Sequence, residues 1–157
     1  MKVYSYAGNR KMIEKSGVGR AYYHQKRALE NSDITLVPNY QDSDIVPINT
    51  VFLKSLWLSK KAKKDGKKVI YHAHSTMEDF RNSFPCSNAL APLFKKWIMK
   101  CYESADAIIT PTSSSKMLLK NYGIRKPIKN ISNGIDLEFY QRQADDRLHF
   151  REKYGFK

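Results

Sequence analysis

KKVIYHAHSTMEDFRNSFPCSNALAPLFKKWIMKCYESADAIITPT, residues 67–112, contains one whole structural unit. At its ends are two short runs rich in branched and aromatic residues, VIYHAH (69–74) and AIITPT (107–112), each of strand length. Between them Leu90, Leu93, Phe94, Trp97, Ile98 and Cys101 recur at spacings of three and four, which predicts a helix over 91–104 with Trp97 in the core. Two strands joined by a helix of that length form a parallel pair, because a tight hairpin turn is replaced by a crossover.

The same alternation extends to both sides. VYSYA (3–7), ITLVP (34–38), IVPIN (45–49) and IKNIS (128–132) are further strand runs. A helix is expected over 17–31, with Ser16 as N-cap and Val18, Ala21, Tyr22, Ala28 and Leu29 on one face. Another starts at Phe52, Leu53, Leu56 and Trp57, and a third follows Ser113–Ser115 and stops at Tyr122-Gly123. Strands that alternate with helices give a doubly wound α/β fold, a parallel sheet flanked by helices on both faces. Residues 1–136 are read as one such domain. Residues 137–157 are polar, lack a strand signal, and are read as the start of an interdomain linker with a helical piece near 148–154.

The chain has 157 residues, 28 Lys+Arg against 15 Asp+Glu, and a formal charge of +13, so an anionic partner is expected: nucleic acid, an anionic leaflet, or a phosphate-bearing small molecule. Helix-turn-helix, zinc-finger and ribonucleoprotein signatures are missing, which argues against nucleic acid. No run of about 18 apolar residues occurs, and the first residues lack a signal-peptide core, so a cytoplasmic or peripheral protein is expected. Cys86 and Cys101 lack metal-ligand spacing and are read as reduced core thiols, with no metal and no resident cofactor.

In an open parallel sheet, ligands bind beyond the carboxyl ends of the strands. Two loops there carry chemistry. SGVGR (16–20) opens into a helix, and its glycines and free amides suit a diphosphate, although they would equally serve a plain turn into a helix. The third glycine of the dinucleotide fingerprint is replaced by Tyr22, which disfavours a nicotinamide or flavin enzyme. The second loop follows YHAHS (71–75). Period-two alternation puts His72 and His74 on one side, where such a pair could bind a metal, act as acid and base, or orient a substrate hydroxyl; His72 is read as a hydrogen-bonded core histidine, and His74, nearer the strand end, as the functional one.

The SGVGR helix start, the strand ending in HAHS, the TPTSSS turn and SNGID (132–136), in this order, resemble the acceptor-side domain of retaining glycosyltransferases of family four, from Lys2 to about Tyr140. The stretch SGVGRAYYHQKRALE is most similar to the branch that makes glycosyl diacylglycerols. This resemblance implies a Rossmann-like domain, one half of a GT-B fold, whose donor-binding C-terminal partner domain is absent, so that the chain alone is expected to be inactive. It implies donor-diphosphate contacts at Ser16, Gly17, Val18 and Gly19, a catalytic role for His74, and a cleft edge formed by His72, Ser75, Asn133 and Gly134. The substrates it implies are a nucleotide-sugar such as UDP-glucose or UDP-galactose and a lipid acceptor such as (glycosyl) diacylglycerol. Transferases of polysaccharide assembly, and a non-catalytic basic module that binds anionic membrane or nucleic acid, are the alternatives.

The lysines suit that setting. Lys54, Lys60, Lys61 and Lys64, with Lys63, Lys67 and Lys68 nearby, cluster beside Phe52, Leu53 and Trp57. Arg81, Lys95, Lys96 and Lys100 extend the patch. A basic stretch with aromatic neighbours fits an anionic membrane, here the inner face of a bacterial plasma membrane.

Overall fold

The computed structural model describes residues 1–135 and 146–156. Six parallel strands form one sheet in the order β2-β1-β3-β4-β5-β6: β1 (Lys2–Val3), β2 (Thr35–Leu36), β3 (Ile45–Ile48), β4 (Lys68–His72), β5 (Ala107–Thr110) and β6 (Ile128–Asn130). Every strand run read from the sequence is present. The first continues past its regular part, since the amides of Tyr4 and Tyr6 donate to the carbonyls of Ile45 and Pro47. The helices are α1 (Arg10–Ile13), α2 (Gly17–Glu30), α3 (Leu53–Lys64), α4 (Met77–Phe80), α5 (Ser87–Glu103), α6 (Ser113–Asn121) and α7 (Asp146–Tyr154). The helical piece expected near 148–154 is α7, whereas the junction expected at 136–137 lies outside the described residues.

The strand order decides which face each helix covers. From β1 the chain steps to β2 on one side, then crosses back to β3 and moves only the other way. Right-handed crossovers therefore put α2 on one face and α3, α5 and α6 on the opposite one. The main core lies under the three helices: Val46, Ile48, Val69, Tyr71 and Ile108 from the strands meet Leu56, Ala62, Ile98, Tyr102 and Leu119. Ala7, Ile13 and Tyr22 make a smaller cluster beneath α1 and α2.

Helices flank both faces, but unevenly. Beyond α2, the second face opens into a cavity of about 760 Å³, lined by Ile45, Pro47, Ile70, His72 and Ile109 on the sheet. Only the first half of the apolar face expected on α2 is buried, at Ala21 and Tyr22, while Ala28 and Leu29 border this opening.

Two expectations need correction. Leu90 and Leu93 are exposed, and the buried line of α5 runs through Ser87, Ala91, Ile98, Cys101 and Tyr102. The helix starts four residues earlier than expected, and 87, 91, 94, 98 and 101 keep the same three-four spacing one residue round the helix. Trp97 lies at the edge of that face, half-buried, and its indole N–H donates to the Val51 carbonyl at 2.7 Å. Both cysteines are free thiols, but only Cys101 is in the core; Cys86 is exposed, with φ of 66°, in the turn before α5.

Candidate functional site

Because all strands are parallel, the loops after β1, β3 and β4 open on one edge of the sheet. The loop after β4 carries His74 and is held at three successive residues. The Ser75 carbonyl accepts from the Tyr102 hydroxyl at 2.8 Å. Thr76 and Asp79 form a reciprocal cap at the start of α4, and the Met77 amide donates to the Tyr122 hydroxyl at 2.9 Å. Each bond contributes about 1 kcal/mol, and together they place the imidazole on a fixed support rather than a free loop.

His74 itself contacts the neighbouring strand end. Its Nε2 lies 3.2 Å from Oδ1 of Asn49, a residue only 2% exposed. The Asn49 amide N–H donates to the Tyr6 carbonyl at 3.0 Å, and its Nδ2 donates to the same oxygen at 3.5 Å. One residue before Tyr6, the Ser5 carbonyl accepts from Tyr22 of α2 at 3.3 Å. His74, Asn49, the end of β1 and the second turn of α2 thus form one hydrogen-bonded row along the carboxyl edge. The sequence shows Asn49 only as a polar residue ending an apolar strand, and the pairing with residue 74 needs the β3–β4 register to be seen.

His72 and His74 lie on the same side, as period-two alternation requires, with near-parallel rings 6.1 Å apart. Burial pushes both imidazoles down to about 4, and the neighbouring His74 adds to the effect at His72. Both are neutral near pH 7. The His72 ring makes no hydrogen bond among the described residues, contrary to the expectation of a hydrogen-bonded core histidine; the open half of the sheet leaves it lining the cavity. Asn133 and Gly134 border the same cavity, in a turn where Gly134 has φ of 74° and its amide donates to the Ser132 hydroxyl. Ser75 belongs to the pinned loop instead.

The start of α2 separates its glycines. Ser16 is the N-cap: its Oγ accepts from the Gly19 amide at 3.2 Å and donates to the Ile13 carbonyl at 2.6 Å. The Gly19 amide is therefore occupied, whereas the amides of Gly17 and Val18, at the helix start, have no intrahelical partner. A Cβ on Gly19 would lie 2.0 Å from the Ile13 carbonyl oxygen, while one on Gly17 would meet nothing within 4 Å. Gly8, with φ of 66°, presses against Thr50 and Phe52 and closes the β1 and β3 loops together; no motif in the sequence marks it.

The basic cluster is divided as well. Lys61 pairs with Asp65 at 2.5 Å, Lys63 with Asp106 at 3.5 Å, and Lys67 donates to the carbonyls of Gln41 and Ser43. Lys61 and Lys67 also lie over the Tyr40 ring. Lys54, Lys60 and Lys64 form no ion pair among the described residues, and share the outer side of α3 with Leu53 and Trp57, which are 75% and 64% exposed. Among the described residues no helix is long and apolar enough to cross a membrane, and no group of three or more His, Cys, Asp or Glu is placed to hold a metal ion.

Comparison with known proteins accords with this architecture. The sequence profile of Glycosyltransferase Family 4 matches residues 25–139. The chain is also similar to a processive diacylglycerol alpha-glucosyltransferase of Acholeplasma laidlawii, 42% identical over 161 residues that cover all of this chain and 47% of the relative. The chain thus spans about half the length of the curated relative it matches. With the parallel sheet and the ordered strand-end loops, the match over most of the chain makes this protein a member of Glycosyltransferase Family 4.

Proposed function

We propose that the chain is the acceptor-side half of a retaining glycosyltransferase that moves a hexose from a nucleotide-sugar to a membrane glycolipid acceptor of the diacylglycerol type. The observation that carries this reading is the row along the carboxyl edge, which joins the start of α2 to His74 through Tyr22, the end of β1 and Asn49. The open amides of Gly17 and Val18 take the donor diphosphate. As the nucleoside diphosphate leaves, negative charge grows on its oxygens, and fixed N–H groups stabilise that charge more in the transition state than in the ground state. His74, neutral and held on a pinned loop, meets the transferred sugar or the acceptor.

The diphosphate's remaining contacts belong to a C-terminal donor-binding domain of the full-length enzyme. The outer side of α3 rests on the anionic cytoplasmic face of the membrane, with Lys54, Lys60 and Lys64 toward the headgroups and Leu53 and Trp57 toward the acyl boundary.

The test is to express the full open reading frame and screen radiolabelled nucleotide-sugars against lipid acceptors, then repeat with His74→Ala. Transfer to a glycolipid acceptor that is lost in His74→Ala, with the fold retained by circular dichroism, supports the reading. Near-native turnover in that variant removes His74 from the site, and failure of every lipid acceptor removes the lipid assignment.

A further inference from the structure

The contact between His74 and Asn49 fixes more than a position. Asn49 is buried, and the Tyr6 carbonyl accepts from both its backbone N–H and its Nδ2. A carbonyl cannot donate, so the amide side facing Tyr6 must be the NH2 and the side facing His74 must be Oδ1. The opposite orientation would set Oδ1 against the Tyr6 oxygen and leave two acceptors facing each other in a buried place, at the cost of an unmade hydrogen bond. An acceptor at Asn49 calls for a donor at His74, and the ring atom in contact is Nε2, at 3.2 Å. In a neutral imidazole only one nitrogen carries the proton, so Nδ1 is bare. No hydrogen bond reaches Nδ1 among the described residues. The parallel His72 ring, 6.1 Å away, is too far to supply one.

We propose that Asn49 is a positioning residue that holds His74 as its Nε2–H tautomer, leaving Nδ1 as a hydrogen-bond acceptor whose ligand is a hydroxyl group rather than a phosphate or carboxylate oxygen. The inference deepens the reading of His74 given above: it rests on that reading for the place of the hydroxyl in the reaction, though not for the tautomer. It assigns the two ends of the row opposite preferences. The amides of Gly17 and Val18 take oxygen anions, and Nδ1 of His74 takes a hydroxyl proton.

The experiment is a long-range proton–nitrogen correlation spectrum of the 15N-labelled chain near neutral pH, in which proton-bearing and bare imidazole nitrogens resonate apart. His74 is expected to show a proton-bearing Nε2 and a bare Nδ1. Asn49→Leu, similar in size and without polar atoms, is expected to move both nitrogens toward the averaged position of mixed tautomers, and Asn49→Asp, whose buried carboxyl keeps its proton toward the Tyr6 carbonyl and its bare oxygen toward Nε2, is expected to restore the split. With methyl glucoside as hydroxyl probe, the Nδ1 resonance shifts; with sulfate, an oxyanion that carries no proton at this pH, it does not.

A proton on Nδ1 in the native chain overturns the proposal, as does an Asn49→Leu spectrum identical to the native one. A response of Nδ1 to sulfate, or none to the glucoside, overturns its ligand half. Should Asn49→Leu fail to fold, the native spectrum and Asn49→Asp decide alone. Sugar transfer that survives in His74→Ala would remove the reaction site while leaving the tautomer result standing, so the two failures are distinguishable.

Discussion

Gly17 and Gly19 look interchangeable as letters in a glycine-rich loop, and the structure predicts opposite responses when each is changed to alanine. A methyl on Gly19 would lie 2.0 Å from the Ile13 carbonyl oxygen and 2.8 Å from its carbon, both backbone atoms that cannot rotate aside. That oxygen also accepts from the Ser16 amide and hydroxyl, so moving it disturbs the N-cap of α2. Forcing such a group into a tight contact costs typically 1–3 kcal/mol. The better helix propensity of alanine returns at most about 1 kcal/mol. A net loss of about 1–2 kcal/mol is expected for Gly19→Ala, which lowers the midpoint of thermal unfolding by roughly 2–8 °C in a chain of this size. Gly17 has open space around its Cβ direction and no positive φ, so Gly17→Ala is expected to be neutral or stabilising by up to about 1 kcal/mol. Thermal and urea unfolding of both variants is the assay. Equal stability of Gly19→Ala and the native chain, or equal losses in both variants, would refute the division of the loop into a packing glycine and an open one. If the diphosphate is held as proposed above, the order should invert in the full-length enzyme: Gly17→Ala keeps its stability and loses transfer.

Acid should weaken the fold before the carboxylates titrate. His72 and His74 are held down at about 4 by burial, whereas an unfolded histidine takes its proton near 6.5. Between those values the unfolded chain binds more protons, so stability is intact above about 6.5 and falls as pH drops toward 4, by roughly 3 kcal/mol per ring at most. Asp65 and Asp106 are held below the usual carboxylate value by their lysine and hydrogen-bonding partners, so their losses come at lower pH. Urea unfolding between about pH 7 and pH 4.5 should lose much of its slope in His72→Leu; an unchanged slope would mean that His72 is protonated in the fold. On vesicles, changing Lys54, Lys60 and Lys64 to glutamine should cost about 1 kcal/mol of binding per lysine when the lipid is anionic and nothing when it is zwitterionic. Changing the paired Lys61 and Lys63 should cost less, and the reverse ranking would move the contact surface off the outer side of α3.

How far the sequence could be read depends on the range of the interaction. The α2 cap was legible because Ser16 and Gly19 are three residues apart, and the β4 histidine pair because alternation along a strand is local. The line of α5 was misplaced by one residue: Leu90 and Leu93 look like core by composition, yet small Ser87 and Ala91 occupy the closely packed side. Close packing favours small residues where helix and neighbour approach, and hydrophobicity counts miss that.

Local periodicity and chain order by themselves determined the strands, the longer helices and the parallel α/β class, and short motifs carried the resemblance to the family, since each depends on residues within a turn, a strand or a short motif. Tertiary structure alone decided that Asn49 meets His74 across 25 residues, that Gly19 packs while Gly17 stays open, and that one sheet face opens into a cavity beside α2. Those facts depend on which strands become neighbours and in what register, and pairing between distant segments is set by the packing of the whole sheet rather than by any stretch of it.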